Sequence, residues 1–290
     1  MVLIFSVIIS FMVSLATCIV FFLVTKKKSM RETNAQGLES NGQAGVPEKE
    51  KNDSVLYHSE PIKDYAFNNF FTDEPAFLKN MKAMLEASFS TPIILRGPTG
   101  IGKTHLMHAF ENYLLERKPT MKTYLISAEA FTSEFIESIK NKNINEFKAK
   151  YKNLDALFID DLNFLEHKEA TQEELCFTIS ELLKKNAFIC FGLITPFLSE
   201  EALSNRLWSL IKGIQIDVPI PGFDAKRMKI MQIFADSKCY INGDLVDYLA
   251  KPEYSLNELV GLCKRLILMK QLDGKGCVNL EIDDIKPLLN

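Results

Sequence analysis

Gly97-Pro98-Thr99-Gly100-Ile101-Gly102-Lys103-Thr104 is a GxxxxGK[ST] run, and residues of these types at this spacing can cradle a polyphosphate. The glycines let successive backbone N–H groups curl around phosphate oxygens, and a helix opening at Lys103 adds the positive end of its dipole. Lys103 would reach the β- and γ-phosphates, and the Thr104 hydroxyl would ligate Mg²⁺. His105 follows directly and is counted with the loop as nucleotide-binding. A chance glycine-rich turn is the bland reading. The strand-like run before the loop and the helix-like run after it argue against that.

A second chemical feature follows later in the chain. Ala156-Leu157-Phe158-Ile159 ends in Asp160-Asp161. A buried strand that delivers two carboxylates at its C-terminal edge, beside such a loop, suits metal-assisted phosphate chemistry. Asp160 would hold Mg²⁺, and Asp161 would polarise the attacking water. Without the loop upstream, the same acid pair would read as a helix cap or turn. His105 and His108 stand three apart on a helix pattern, but no third ligand accompanies them and no metal site is expected there. HExxH does not occur, which argues against a membrane-tethered metalloprotease.

These residues need elements to position them, and the pattern supplies an alternation. Strand-like runs fall at Pro92–Leu95, Thr123–Ile126, Ala156–Ile159, Phe188–Ile194 and Ile214–Val218. Between them lie helix-like stretches at Lys103–Arg117, Ala128–Lys140, Asn145–Tyr151, Thr171–Lys185 and Glu200–Leu210. Strands separated by helices imply an α/β fold, a parallel sheet covered by helices on both faces. After Pro219-Ile220-Pro221-Gly222 the strands stop. Three or four helices should follow as a small separate unit, one of them Asn257–Met269 with Leu259, Cys263, Leu266 and Ile267 at helical spacing.

The composition is that of a folded protein: 290 residues, 47% apolar and 24% charged. Lys and Arg number 34 against 37 Asp and Glu, a formal charge of −3, so no global basic field holds duplex DNA. The cysteines at 18, 176, 190, 239, 263 and 277 include no CxxC pair and are expected to be reduced core thiols of a cytosolic domain.

Residues 2–24 carry no charge. As a helix at ~1.5 Å per residue they would span about 34 Å, enough to cross a hydrocarbon core of ~30 Å. Lys26, Lys27, Lys28 and Arg31 follow. This predicts a single-pass membrane anchor with the rest of the chain in the cytoplasm. A cleavable signal would place its charges before a shorter run; a start at Met30 is the other alternative. Residues 25–59, polar and without apolar period, should form a flexible tether of roughly 30 Å reach. The expected organisation is thus 2–24 membrane helix, 25–59 tether, 60–221 α/β domain and 222–290 helical lid.

Residues 97–112, 143–174 and the ALSNRL–PIPGF–KR run of 202–227 resemble the AAA+ ATPase domain of the bacterial chromosomal replication initiator DnaA family. The phrase EFKAKY-x3-DALFIDDLNFL-x2-KE-x-TQEE is more specific than any generic phosphate loop. The resemblance covers roughly residues 60–290. It implies a P-loop NTPase with a helical lid, ATP or ADP with Mg²⁺ as ligands, and a part in replication initiation or its regulation. It implies that Thr195 stands near the sensor 1 position and acts with Asp161 in catalysis. Ile136 and Lys168 match positions that line a single-stranded DNA groove in the family, and Arg206 matches an interface arginine.

Departures from the family accompany these matches. Leu210 stands where a second arginine would reach a neighbour's ATP, Asn257 where the lid would carry an arginine, and Ala170 where the groove would carry a cation. A trans arginine contributes ~10³–10⁵ in rate, so ATP binding with weak or absent hydrolysis is expected. Since the chain stops at Asn290, after the lid, duplex sequence readout is not expected. Lys140, Lys142, Lys148, Lys150 and Lys152 could be a residual groove for single strands, but a solvated helical face is the favoured reading. A protein partner is expected: the initiator, a helicase or a second copy. The alternative is a non-hydrolysing membrane scaffold or regulator acting through protein contacts. A regulatory inactivator of the initiator is disfavoured, because no QxxLxF-like sliding-clamp peptide precedes residue 60.

Overall fold

Five short strands pair in parallel along their whole length: β1 (Ile93–Gly97), β2 (Thr123–Ser127), β3 (Ala156–Asp160), β4 (Phe188–Ile194) and β5 (Ile214–Asp217), in the order β2-β3-β4-β1-β5. The computed structural model describes residues 64–87, 91–196, 202–251, 254–272 and 280–289, all within the unit spanning 55–290. The expected anchor at 2–24 and tether at 25–59 lie outside the described residues. Among the described residues, no helix is long and apolar enough to cross a membrane.

Both sheet faces are covered, as continuous apolar strands require. Side chains alternate along β1: Ile94 joins one core, while Ile93 and Leu95 join the other. On the first face, α3 (Ala128–Lys140), α4 (Ile144–Lys152) and α5 (Glu169–Lys184) bring Phe131, Phe147, Tyr151, Leu175 and Ile179. On the second, α1 (Pro75–Glu86) and α2 (Lys103–Arg117) bring Phe77, Leu106, Met107 and Phe110. Three elements had no counterpart in the sequence reading, α1 and two 3-10 turns, at Phe67–Asn69 and Leu162–Leu165. Proline at the first position of α1 marks its start.

One helix is shorter than its pattern. For the stretch expected at Glu200–Leu210, the α-helix among the described residues is Asn205–Ile211, here α6. The Ser204 hydroxyl accepts from the Leu207 amide at 3.3 Å and fixes the start there. The free thiols of Cys176, Cys190 and Cys263 are buried as expected, and burial pushes the Cys263 thiol up to about 12. Cys239 corrects the expectation of reduced thiols throughout, because it is disulfide-bonded.

The lid consists of α7 (Phe223–Asp236), α8 (Gly243–Leu249), α9 (Leu256–Leu272) and α10 (Ile282–Leu289). It has its own core of Ile230, Phe234, Leu245, Leu249, Leu259, Cys263 and Leu266. Gly222, at the start of α7, offers no side-chain cap. Asp73 supplies one from far away in sequence: its carboxylate accepts from the amides of Gly222 (2.6 Å), Asp224 (3.1 Å) and Ala225 (3.2 Å).

A polar network ties α3 to α4. The Glu134 carboxylate accepts from Tyr124 (2.7 Å), Tyr151 (2.8 Å) and Lys150 (2.8 and 2.9 Å). Burial opposes its ionisation, but these donors outweigh burial and hold the carboxyl below its ordinary range. Glu134→Gln should therefore cost about 2 kcal/mol of stability at neutral pH, measured by urea unfolding. The gap between variant and wild type should close as pH falls from about 4.5 through the lowered folded value, because protonation removes the same interaction.

Candidate functional site

The five strands run parallel, so their carboxyl ends open on one edge, and the loop after β1 lies there. Gly102 enters α2 at φ 102°, a left-handed turn that aims the following amides at the loop's interior. The Lys103 side chain, 5% exposed, curls back so that its Nζ donates to the carbonyls of Gly97 (2.9 Å) and Pro98 (2.8 Å). Burial lowers its affinity for a proton, and the charges of Asp160 and Asp161 oppose that effect.

β3 and β1 are not neighbours, since β4 runs between them. Asp160, at the end of β3, nevertheless reaches Thr104 on α2, whose hydroxyl donates to the Asp160 carboxylate. The path crosses Gly192 of β4, which lies beside Leu95 of β1. A methyl group at Gly192 would come within 2.1 Å of Asp160 Oδ1. This glycine was missed in the sequence reading, because one glycine in an apolar strand has no signature of its own. Asp160 also accepts from the Asp161 amide at 2.9 Å. Asp161 adopts a left-handed φ of 52°. Burial and the neighbouring Asp160 raise its pKa, which Lys103 opposes. A carboxyl displaced upward in this way suits a group that accepts a proton.

Asn163 was missed as well. Its side chain accepts from the Ile194 amide (2.7 Å) and donates to the Ile194 carbonyl (3.2 Å), locking the turn after β3 to the end of β4. Thr195 follows immediately, and its amide donates to the Gly97 carbonyl at 3.1 Å. The structure therefore places Thr195 against the base of the loop, although its side chain does not form part of the cleft wall.

The cleft itself has a volume of about 1020 Å³ and lies between this edge and the lid. Thr99, Gly100, Gly102, Lys103, Thr104, His105 and Asp161 form one wall. The lid supplies Lys229, Asn257, Val260 and Lys264. Asp64, Tyr65 and Asn69 close one end. Of the expected nucleotide ligands, Ile101 is buried and packs on Gly97 instead. His105 meets the Ala66 carbonyl through Nε2 at 3.0 Å, and its ring lies tilted against Tyr65 with centroids 4.8 Å apart. Burial lowers its pKa, which the hydrogen bond to Ala66 opposes.

The Thr104 hydroxyl and the Asp160 carboxylate are hard oxygen donors held together beneath the loop, and that donor set fits Mg²⁺. The basic cluster of α3 and α4 is mostly neutralised. Lys148 pairs with Glu174 (3.5 Å), Lys150 with Glu134 (2.8 Å) and Lys152 with Glu181 (3.2 Å). Lys168 lies over the Phe164 ring at 3.7 Å, and Ile136 is exposed on α3. Arg206 stands over the Phe177 ring at 4.8 Å, while Leu210 and Trp208 pack against the sheet core.

Residues 63–217 match the family described as the bacterial DnaA ATPase domain. The chromosomal replication initiator protein DnaA of Buchnera aphidicola subsp. Cinara cedri is 30% identical over 257 residues, which is 83% of this chain and 56% of that protein. The chain thus spans little more than half the length of that relative. Domain III of the Thermotoga maritima replication initiation protein DnaA is similar with a TM-score of 0.71 at 26% identity, covering 78% of this chain and 96% of that one. A replication initiator DnaA bound to AMPPCP and single-stranded DNA is similar with a TM-score of 0.64 at 28% identity, covering 74% and 68%.

Proposed function

Because this chain belongs to the bacterial DnaA ATPase family, we propose that it is a membrane-anchored, nucleotide-dependent switch in replication initiation or its regulation. It binds ATP with Mg²⁺ in the cleft and turns it over slowly. The observation that carries the reading is the convergence of Lys103, Thr104, Asp160 and Asp161 at one sheet edge, facing a lid. Amides of residues 99–104 and the Lys103 ammonium bind the phosphates, and Asp161 orients a water and takes its proton. Mg²⁺ held by Thr104 and Asp160 would supply positive charge to the β- and γ-phosphate oxygens.

Slow turnover is inferred from two side chains. Leu210 is packed against the core instead of offering a cation to a neighbouring protomer. Asn257 reaches the loop at Gly100 with an uncharged amide. Pairing of most of the α3–α4 lysines supports a protein as the main partner, with single-stranded DNA held weakly. The anchor is residues 2–24, with the head in the cytoplasm. Steady-state assays of the 290-residue chain should give turnover far below the 1–100 s⁻¹, roughly, of efficient phosphoryl-transfer enzymes. Robust turnover that disappears in Asp161→Ala would refute slow hydrolysis.

A further inference from the structure

We propose that Asn163 is a positioning residue for ATP hydrolysis, which holds the turn carrying Asp161 in register with the phosphate loop. The inference rests on the reading that Asp161 activates water in the cleft, and deepens it.

The ladder between β3 and β4 stops short of the site. Its pairs run from Ala156 with Phe188 to Ile159 with Phe191. β4 continues to Ile194, still paired on its other side with β1 through Gly192, Leu193 and Ile194. Beyond β3, Asp161 opens a turn at φ 52° and ψ 52°, a left-handed conformation that a residue with a side chain keeps only where its surroundings fix it. The Phe164 amide donates to the Asp161 carbonyl at 2.9 Å and closes the turn on itself. That bond shapes the turn without tying it to the sheet.

Asn163 supplies the tie. Its Oδ1 accepts from the Ile194 amide at 2.7 Å, and its Nδ2 donates to the Ile194 carbonyl at 3.2 Å. Both backbone groups of one β4 residue are met by a single carboxamide, on the side where β3 has already ended. The side chain thus stands in for the missing strand. Asparagine suits this because it carries a donor and an acceptor on one short planar group; aspartate keeps only the acceptor and alanine neither. One residue further on, the Thr195 amide donates to the Gly97 carbonyl at 3.1 Å, and the same carbonyl accepts from Lys103 Nζ at 2.9 Å. The acid-bearing turn is therefore linked to the P-loop lysine through Asn163 and the end of β4. A path this short fixes the distance from the Asp161 carboxylate to a phosphate on the loop, and a misplacement of about 1 Å costs about a hundredfold in rate.

The test sets single-turnover cleavage of radiolabelled ATP beside equilibrium ATP affinity on the 290-residue chain, wild type against Asn163→Ala and Asn163→Asp. Cleavage should slow about tenfold or more in Asn163→Ala, while ATP affinity stays within about threefold of wild type. Asn163→Asp has the same shape and keeps the acceptor for the Ile194 amide, so its rate should fall between the other two. It decides the matter where the alanine variant does not fold. Glu134→Gln, which weakens the α3–α4 network outside the cleft lining, should cleave ATP at the wild-type rate. Cleavage as fast as wild type in Asn163→Asp, or in folded Asn163→Ala, would overturn the proposal. So would a loss of affinity as large as the loss of rate, or an equal slowing in Glu134→Gln, since each marks a general loosening of the fold. A wild-type chain that binds ATP and never cleaves it would instead remove hydrolysis from the proposed function, and the role of Asn163 with it.

Discussion

Lys103→Ala should lower ATP affinity about a hundredfold or more, measured with a fluorescent ATP analogue on the 290-residue chain. The ammonium is the one cation of the P-loop, is almost wholly buried, and is turned onto the Gly97 and Pro98 carbonyls. Nucleotide would exchange those two carbonyl acceptors for phosphate oxygens, a stronger charge-assisted pairing. Removal of the amine deletes that gain and leaves the Pro98 carbonyl to find another donor, while the Gly97 carbonyl keeps the Thr195 amide. Thermal unfolding reports the same effect independently. Wild type at a hundredfold excess of ATP over its dissociation constant gains about 2.7 kcal/mol, and the variant should gain almost none. Equal ATP binding by both proteins would favour the scaffold alternative, in which the fold acts through protein contacts alone.

Gly192→Ala should disable the acidic side of the cleft without touching a charged residue. The added methyl would lie 2.1 Å from Asp160 Oδ1 and 3.2 Å from its Cγ, so the carboxylate must swing away. It would lose the Thr104 hydroxyl and the Asp161 amide together. Overpacking of this kind costs about 1–3 kcal/mol, and stranding a buried polar group costs a similar amount. Urea unfolding should therefore show a loss of about 2–4 kcal/mol, and Mg²⁺ should no longer strengthen ATP binding. The double variant Gly192→Ala/Asp160→Ala supplies the check. With the carboxylate gone the clash is gone, so the two effects should fall well short of additivity. Stability should partly return while the Mg²⁺ dependence stays lost. A fully additive double variant would show that the methyl disturbs the sheet and not the carboxylate.

The P-loop and the acid pair were legible because each is written contiguously, Gly97–Thr104 as a turn with a fixed residue order and Asp160-Asp161 at the end of an apolar strand. The strands were legible for the same local reason. What the sequence left out is assembled across the fold. Gly192 matters only because β4 separates β3 from β1, a fact of strand order. Asn163 matters because its amide spans to Ile194. Lys229 and Lys264 read as ordinary solvated lysines until the packing of α7 on α9 turns them inward. The lysines of α3 and α4, for which a solvated helical face was favoured over a groove for single strands, show the same limit. They look like a basic patch in sequence, yet Glu134, Glu174 and Glu181 neutralise three of them from other helices or other turns. The start of α6 was misplaced because Ser204 stops the helix through a hydroxyl that hydrophobic periodicity does not register.

Asp73 has a mechanical consequence. Its carboxylate clasps the amides that open α7, and it sits on the same stretch of chain as Tyr65 and Asn69 at the end of the cleft. The linker at 219–222 is therefore no free hinge. A lid that swings outward must either tear this clasp or carry residues 64–73 along with it, and in the second case the end wall of the cleft is peeled away in the same stroke. Escape of a captive ligand and unlatching of the lid would then be a single event.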